Sequence, residues 1–351
     1  MKEKFFIVLI TVCNFANAQK PVITRIEAES LHRIQQALTD VIVHDIFSPP
    51  VASRIYLYAN LSAFEVLALD KIKLRSFEHT SNFPAISNIK FDRSQVNLPL
   101  AALSAFAHTS GNLIFSEARF NDSAQKILSA FKNTVRNKKH FDASIALGKR
   151  LADSVLSFAA KDHYRETRSM RRYSVTSFNG RWIPTPPAYI AAVEPHWGKM
   201  RPFLIDSASQ FRPPVPIVYT NDSTGRFYRQ ALEVYQTVKN ISTAQKHIAL
   251  FWDCNPFFVN TSGHLVFATK KLSPGGHWMS IAGITARKAN ADIYLAAKGY
   301  TFTAIALFDA FISCWDEKYR SNYIRPETFI NSTIDESWRP LLQTPPFPEY
   351  T

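Results

Sequence analysis

Between Thr24 and Phe47 the apolar residues Ile26, Leu31, Ile34, Leu38, Val41 and Ile42 recur at helical intervals, the stripe of a helix with one buried face. Ser48-Pro49-Pro50 ends it, because proline cannot continue a preceding helix. Ile55, Leu57, Leu61, Phe64 and Leu67 repeat the period through 51–70, with Glu65 set among apolar neighbours, and predict a second helix packed on the first. The same spacing predicts helices over 97–116 and 124–136, the latter behind Asn121-Asp122-Ser123 as caps. Ile145, Leu147, Leu151, Val155 and Leu156 mark another. Up to about residue 160 there is neither a period-two strand nor a fixed repeat, so this half is predicted to be all-helical.

The pattern breaks between 184 and 216, where Pro184, Pro186, Pro187, Pro195, Pro202, Pro213, Pro214 and Pro216 exclude long helices. Trp182, Tyr189, His196, Trp197 and Phe203 accompany them and predict an ordered loop packed by its aromatic rings. Helical spacing resumes over 223–239 and after Ser242, whose partner Gln245 has capping-box spacing. Phe251 to Pro256 ends that helix, and a further helical run starts at about Ile281. Ile305, Leu307, Phe308, Phe311, Ile312 and Trp315 then form the stripe that leads to Lys318. The expected organisation is a helical region over 19–180, an ordered loop over 181–220 and a second helical portion over 221–351.

With 351 residues, 46% of them hydrophobic, the chain can bury a substantial core, as one large or two ordinary domains. Lys2 and Lys4, the apolar run Phe5 to Cys13 and Ala16-Asn17-Ala18 have the form of an export signal cleaved between Ala18 and Gln19. Val12 is bulky where a lipoprotein signal at Cys13 would want a small residue. No later run reaches the roughly 18–20 apolar residues that spanning a bilayer needs, so no transmembrane segment is expected. Loss of Lys2, Glu3 and Lys4 removes a net +1 and leaves +12 of the +13 total. That balance suits phosphate esters, polyanions or a membrane surface without choosing among them. Lys161, Arg165, Arg168, Arg171, Arg172 and Arg181 form a basic run, but with sparse aromatic interleaving and no nucleic-acid motif, so it reads as a solvated face. Cys254 and Cys314 remain after cleavage, which excludes a disulfide scaffold and suggests buried structural thiols.

There is no His-Glu-x-x-His, no Walker loop, no Rossmann glycine pattern and no Gly-x-Ser-x-Gly elbow. What remains is Lys318 and, seven residues on, Arg325 followed by Pro326. On a continuous helix seven residues bring Arg325 within about 20° of the bearing of Lys318. Guanidinium binds two oxyanion oxygens as a fork and ammonium follows one, so the pair could hold a phosphate-sized anion. Pro326 should place Arg325 at a helix end. Basic residues in a last helical turn that favour the macrodipole would give the same pattern.

Ile312-Ser313-Cys314-Trp315-Asp316-Glu317-Lys318 through Arg325-Pro326 resembles the first motif, Lys-x6-Arg-Pro, of the vanadium-dependent haloperoxidases and type 2 phosphatidic acid phosphatases. Trp315 resembles the haloperoxidase version. The segments Pro50 to Tyr56, Pro184 to Pro187 and Pro274 to Trp278 extend the resemblance to the exported, Bacteroidetes-type haloperoxidase-like branch, over nearly the whole mature chain. It implies an all-α fold, a large helical bundle whose core begins within 221–351. Lys318 and Arg325 would bind vanadate or phosphate oxygens, with Trp315 lining the pocket. In that family a Ser-Gly-His and a later Ser-Arg-x5-His complete the site, the last His binding vanadium or attacking phosphorus.

Thr344 to Thr351 is similar to the loop that leads into Ser-Gly-His, and the two later motifs do not follow Lys318 in this sequence. Ser262-Gly263-His264 and Pro274-Gly275-Gly276-His277 precede Lys318, the wrong order, and read as loop or core histidines. Two cations bind an oxyanion without transforming it, so residues 1–351 are expected to form an incomplete enzyme with little activity alone. Apolar helix faces are expected to be left open. Three functions stay in play. One is a vanadate-dependent haloperoxidase using peroxide and halide; another is an acid phosphatase acting on phosphate esters; the third is a noncatalytic polyanion-binding helical protein. Oligomeric state is not legible.

Overall fold

The structure, a computed structural model, describes residues 22–78, 80, 83–176, 178–262, 265–268 and 270–349. The leader expected at 1–18, and Gly263 and His264 of the Ser-Gly-His string, lie outside the described residues. The first two stripes form helices α1 (Val22–His44) and α2 (Pro49–Ala68), and Ser48 caps α2 ahead of its two prolines. Every residue of α2 is buried, so the helix is an axle around which the others pack rather than an amphipathic surface element.

Helices α3 (Leu98–Gly111) and α5 (Lys138–Ala159) pack on α2, α4 (Glu117–Ser129) packs on α1 and α3, and the short α6 (Tyr164–Ser169) follows α5. At Gly148 in α5 an added Cβ would lie 2.3 Å from the Ala101 carbonyl oxygen in α3, so these helices cross with no room for a side chain. Helix α4 starts four residues before the predicted caps, which fall inside it. The Asp45 carboxylate explains the shift: it accepts from the N–H groups of Phe115 and Ser116, at 3.2 and 2.9 Å, and fixes the helix entry.

After the proline-rich loop come α7 (Arg226–Lys239), α8 (Thr243–Phe251), a hairpin of β1 (Val259–Ser262) and β2 (Leu265–Ala268), then α9 (Pro274–Lys288), α10 (Ile293–Ser321) and α11 (Pro326–Thr333). The hairpin is antiparallel with Val259 opposite Ala268, a local exception in an otherwise helical bundle. The capping box at Ser242 forms, with Ser242 N–H donating to Gln245 Oε1 and Gln245 N–H to Ser242 Oγ. Helix α9 starts at Pro274, well before Ile281, because Ser273 Oγ accepts from Gly276 N–H and nucleates the first turn.

Helix α10 packs on α1, α2 and α9, and its Ile305, Phe308, Ile312 and Trp315 share one core with Leu31, Leu57 and Leu103. Each such buried Leu, Ile or Phe contributes about 1.5–3 kcal/mol. By length and composition α10 could cross a membrane, yet half of its most apolar window is buried inside the protein, as in a core helix. A smaller core joins Phe227 and Ala231 of α7 to Phe329 and Ile330 of α11 and to Trp338.

Within the proline-rich loop Trp182, Trp197 and Phe203 are almost wholly buried, whereas Tyr189 is exposed. The loop is tied to α10 by Asp309, whose carboxylate accepts from the N–H groups of Phe203, Leu204 and Ile205 at 2.7, 2.8 and 3.2 Å. One face of α10 remains open along an apolar cavity of about 780 Å³, lined among others by Phe302, Ile305, Ala310 and Cys314.

Candidate functional site

Lys318 sits in the last turn of α10 and Arg325 at the N-cap position of α11, so they do not lie on one continuous helix as the spacing argument assumed. Asn322 ends α10 in the left-handed region at φ 47°, a conformation Asn tolerates better than most residues, and its N–H donates to the Lys318 carbonyl at 2.9 Å. The turn is then pinned from outside. Gly180 and Trp182 pair with Ile324 and Asn322 through backbone bonds of 3.1 Å each, and Tyr173 OH donates to Asn322 Oδ1 at 2.7 Å. Arg325 is extended, as the residue before proline should be.

The two cations converge after all, on the segment 347–349. Lys318 Nζ donates to the carbonyls of Pro348 and Glu349 at 3.4 and 3.2 Å. Arg325 donates from Nε and Nη2 to the Phe347 carbonyl at 2.9 and 2.7 Å, while Nη1 pairs with the Glu349 carboxylate. Both are buried, at 8% and 6% exposure. Burial, reinforced by the neighbouring Arg325, holds the Lys318 ammonium below the usual lysine range. Burial likewise lowers Arg325, against the opposing pull of Glu349 and Glu327.

The macrodipole explanation suits the position of Lys318, in the last turn of α10, but not that of Arg325. Lys318 bonds to no α10 carbonyl, and Arg325 stands at the positive end of α11, where the macrodipole disfavours a cation. Trp315 is at the site too. Its ring packs on Phe347 at 4.8 Å between centroids, and its Nε1–H donates to the Val193 carbonyl at 3.1 Å, an acceptor it shares with Tyr319 OH at 2.7 Å. Trp315 therefore packs on the segment that the two cations hold and ties Val193 of the 191–196 strap to α10.

His277 does not join them: its Nδ1 lies 3.1 Å from Cys254 Sγ and its ring stacks on Trp252 at 5.0 Å. Among the described residues no histidine is a bonding partner of Lys318 or Arg325. Cys254 and Cys314 form no disulfide and are half-buried, not the fully buried thiols expected. Sequence reasoning missed the buried pair Arg54–Asp162, at 2.6 Å, whose residues lie 108 positions apart. Tyr58 OH donates to the same carboxylate at 3.0 Å.

A family model described as the VCPO second helical-bundle domain matches residues 298–351, the stretch that contains Trp315, Lys318 and Arg325. A crystal structure described as the first bacterial vanadium-dependent iodoperoxidase matches at 43% identity, with a TM-score of 0.85, over 92% of this chain and 77% of that one. The chain belongs to the vanadium-dependent haloperoxidase family. Apo- and holo-type structures of a bacterial vanadium-dependent chloroperoxidase match at 17% identity with TM-scores of 0.59. They cover 86% and 87% of this chain and 73% of theirs, and show the shared fold alone. A search of curated proteins returns no match.

Haloperoxidases of this family use vanadate, and Lys318 and Arg325 suit such a tetrahedral oxyanion by their donor chemistry. Every hydrogen-bond acceptor they now engage is an oxygen, and the guanidinium spans two of them, with Nε and Nη2 on the Phe347 carbonyl and Nη1 on the Glu349 carboxylate.

Proposed function

We propose that this chain carries the oxyanion-gripping part of a haloperoxidase site, serving the oxidation of halide, iodide first, by peroxide. The observation that carries this reading is the convergence of two buried cations, from either side of a pinned helix break, on neighbouring oxygens of one short segment, 347–349. Arg325 would fix two oxygens in a plane and Lys318 would follow a third, polarising it. Trp315 and Phe347 exclude water, which strengthens both interactions. Activation of peroxide toward halide is the chemistry that vanadate supplies when bound. The identity with a bacterial iodoperoxidase supports iodide as the halide.

Transfer of an oxygen also needs a ligand such as an imidazole at the oxyanion, and among the described residues the partners of Lys318 and Arg325 include no imidazole. The arrangement of the described residues is accordingly read as binding vanadate without turnover. The run Phe5 to Cys13 and the Ala16-Asn17-Ala18 site support export, with action outside the cytoplasm.

A second reading has its own support. Lys318 and Arg325 together hold 347–349 through five hydrogen bonds or ion pairs and could serve only to fasten that segment. Equilibrium dialysis with orthovanadate, run beside an iodide-oxidation assay, separates the two. Saturable binding without iodide oxidation is expected. Absence of binding would favour the fastening role, and robust vanadate-dependent iodide oxidation would refute the inactivity of residues 1–351.

A further inference from the structure

The basic run 161–181 is not one uniform solvated face. Arg168 is committed: its Nη1 lies 3.0 Å from Glu194 Oε1, its Nη2 pairs with Oε2, and its guanidinium lies 4.7 Å from the Tyr164 ring centroid. Arg171 and Arg172 are exposed and, among the described residues, have no carboxylate partner. With Arg168 they line a cavity of about 570 Å³, within the range of roughly 300–1,000 Å³ typical of small-molecule sites.

The other walls are largely aromatic. Phe47 stacks on Phe115 at 4.6 Å and 26°, and Phe115 is left 78% exposed, an unusual position for a phenyl ring with nothing on its outer face. Tyr164, Tyr173 and Phe257 contribute further rings. The acidic lining residue, Glu194, is already engaged by Arg168 and by Ser48 Oγ at 3.1 Å, so it does not neutralise the two free guanidinium groups. Glu194 stands in the left-handed region at φ 53°, held there by those two partners, and the Val193 N–H next to it donates to the Pro346 carbonyl at 3.0 Å. The strap that closes the cavity is therefore preorganised.

We propose that this cavity is a binding site for an aromatic carboxylate, its ring lying against the Phe47–Phe115 stack and its carboxylate in the fork of Arg171 or Arg172. A planar fork that offers two parallel N–H donors matches a carboxylate, and flat rings reward a flat ligand. Val193, whose carbonyl anchors Trp315 and Tyr319, separates this site from the Lys318–Arg325 pair by one strand of backbone. The proposal does not depend on what that pair binds.

Isothermal titration of the 351-residue chain with 2-naphthoate tests it, beside the uncharged 2-naphthamide and inorganic phosphate. Naphthoate is expected to bind at least about tenfold more tightly than either comparison compound, the contribution of one charge-assisted hydrogen-bonded pair on a ring platform. Arg171→Gln and Arg172→Gln together should remove that advantage, leave naphthamide binding unchanged and, both being exposed, leave the melting temperature unchanged. Naphthoate binding no tighter than that of naphthamide would overturn the proposal. So would full binding in the double variant, or loss of binding on Arg325→Lys instead, which would place the anion at the other site.

Discussion

The ammonium of Lys318 and the guanidinium of Arg325 lie 5.3 and 5.2 Å from the centroid of the same Phe347 ring, although a helix end and a left-handed residue separate them in the chain. The ring serves both cations as a weak electron-rich partner. Glu349, 39% exposed, supplies the carboxylate. Replacing Glu349 by Gln leaves the buried cations with less internal compensation, so orthovanadate or phosphate affinity should rise by about tenfold, within the range of one charge-assisted contact. Dialysis against either anion measures it, and unchanged affinity would show that the carboxylate does not compete.

Asp309 organises the loop that lies against α10. Asp309→Ala leaves three backbone donors at 203–205 without their acceptor and should destabilise the fold by about 2–4 kcal/mol. Denaturant unfolding gives the magnitude. Hydrogen exchange gives the place, since the amides of Phe203, Leu204 and Ile205 should lose protection first.

Asp162 is the shared acceptor of Arg54 and Tyr58 in the core. Asp162→Ala strands a buried guanidinium and should cost about 3–5 kcal/mol. Arg54→Met combined with Asp162→Ala should recover part of that loss. A double variant no more stable than the single one would show that the charge of Arg54 is not what the loss reports.

Glu65 is fully buried, and its desolvated carboxyl is pushed up to about 7 despite hydrogen bonds from Ser76 Oγ and Phe77 N–H. The folded state thus keeps a proton that the unfolded state releases above its ordinary value near 4.5, and stability falls as pH rises from there to about 7. His32, lowered to about 4 by burial, contributes the opposite slope between about 4 and 6.5, so only a difference isolates Glu65. Glu65→Gln should gain stability relative to the unmodified chain through that window, by up to about 3 kcal/mol at pH 8. A difference independent of pH would contradict the assignment.

The first two helices, the helical class and the Ser242 capping box were legible because local spacing and local hydrogen bonding determine them. The starts of α4 and α9 were not. Asp45, seventy residues away in the chain, sets the first, and the second begins on a serine cap followed by proline and two glycines that apolar spacing ignores. At the site, the residue types of Lys318, Arg325 and Trp315 were legible and their geometry was not. A helical wheel assumes the helix continues, whereas Asn322 turns the backbone left-handed and Gly180 and Trp182 clamp the turn. The cavity at Arg171 and Arg172 depends on α2, the turn before α4 and the 191–196 strap meeting, which no local pattern encodes.

The most direct test of the central claim is an orthovanadate titration of the unmodified chain and of Arg325→Lys at matched ionic strength. If Arg325 acts as a fork in an oxyanion site, the unmodified chain binds saturably and the lysine variant, with its charge kept, binds at least about tenfold more weakly. Equal affinity in the two proteins would contradict the site.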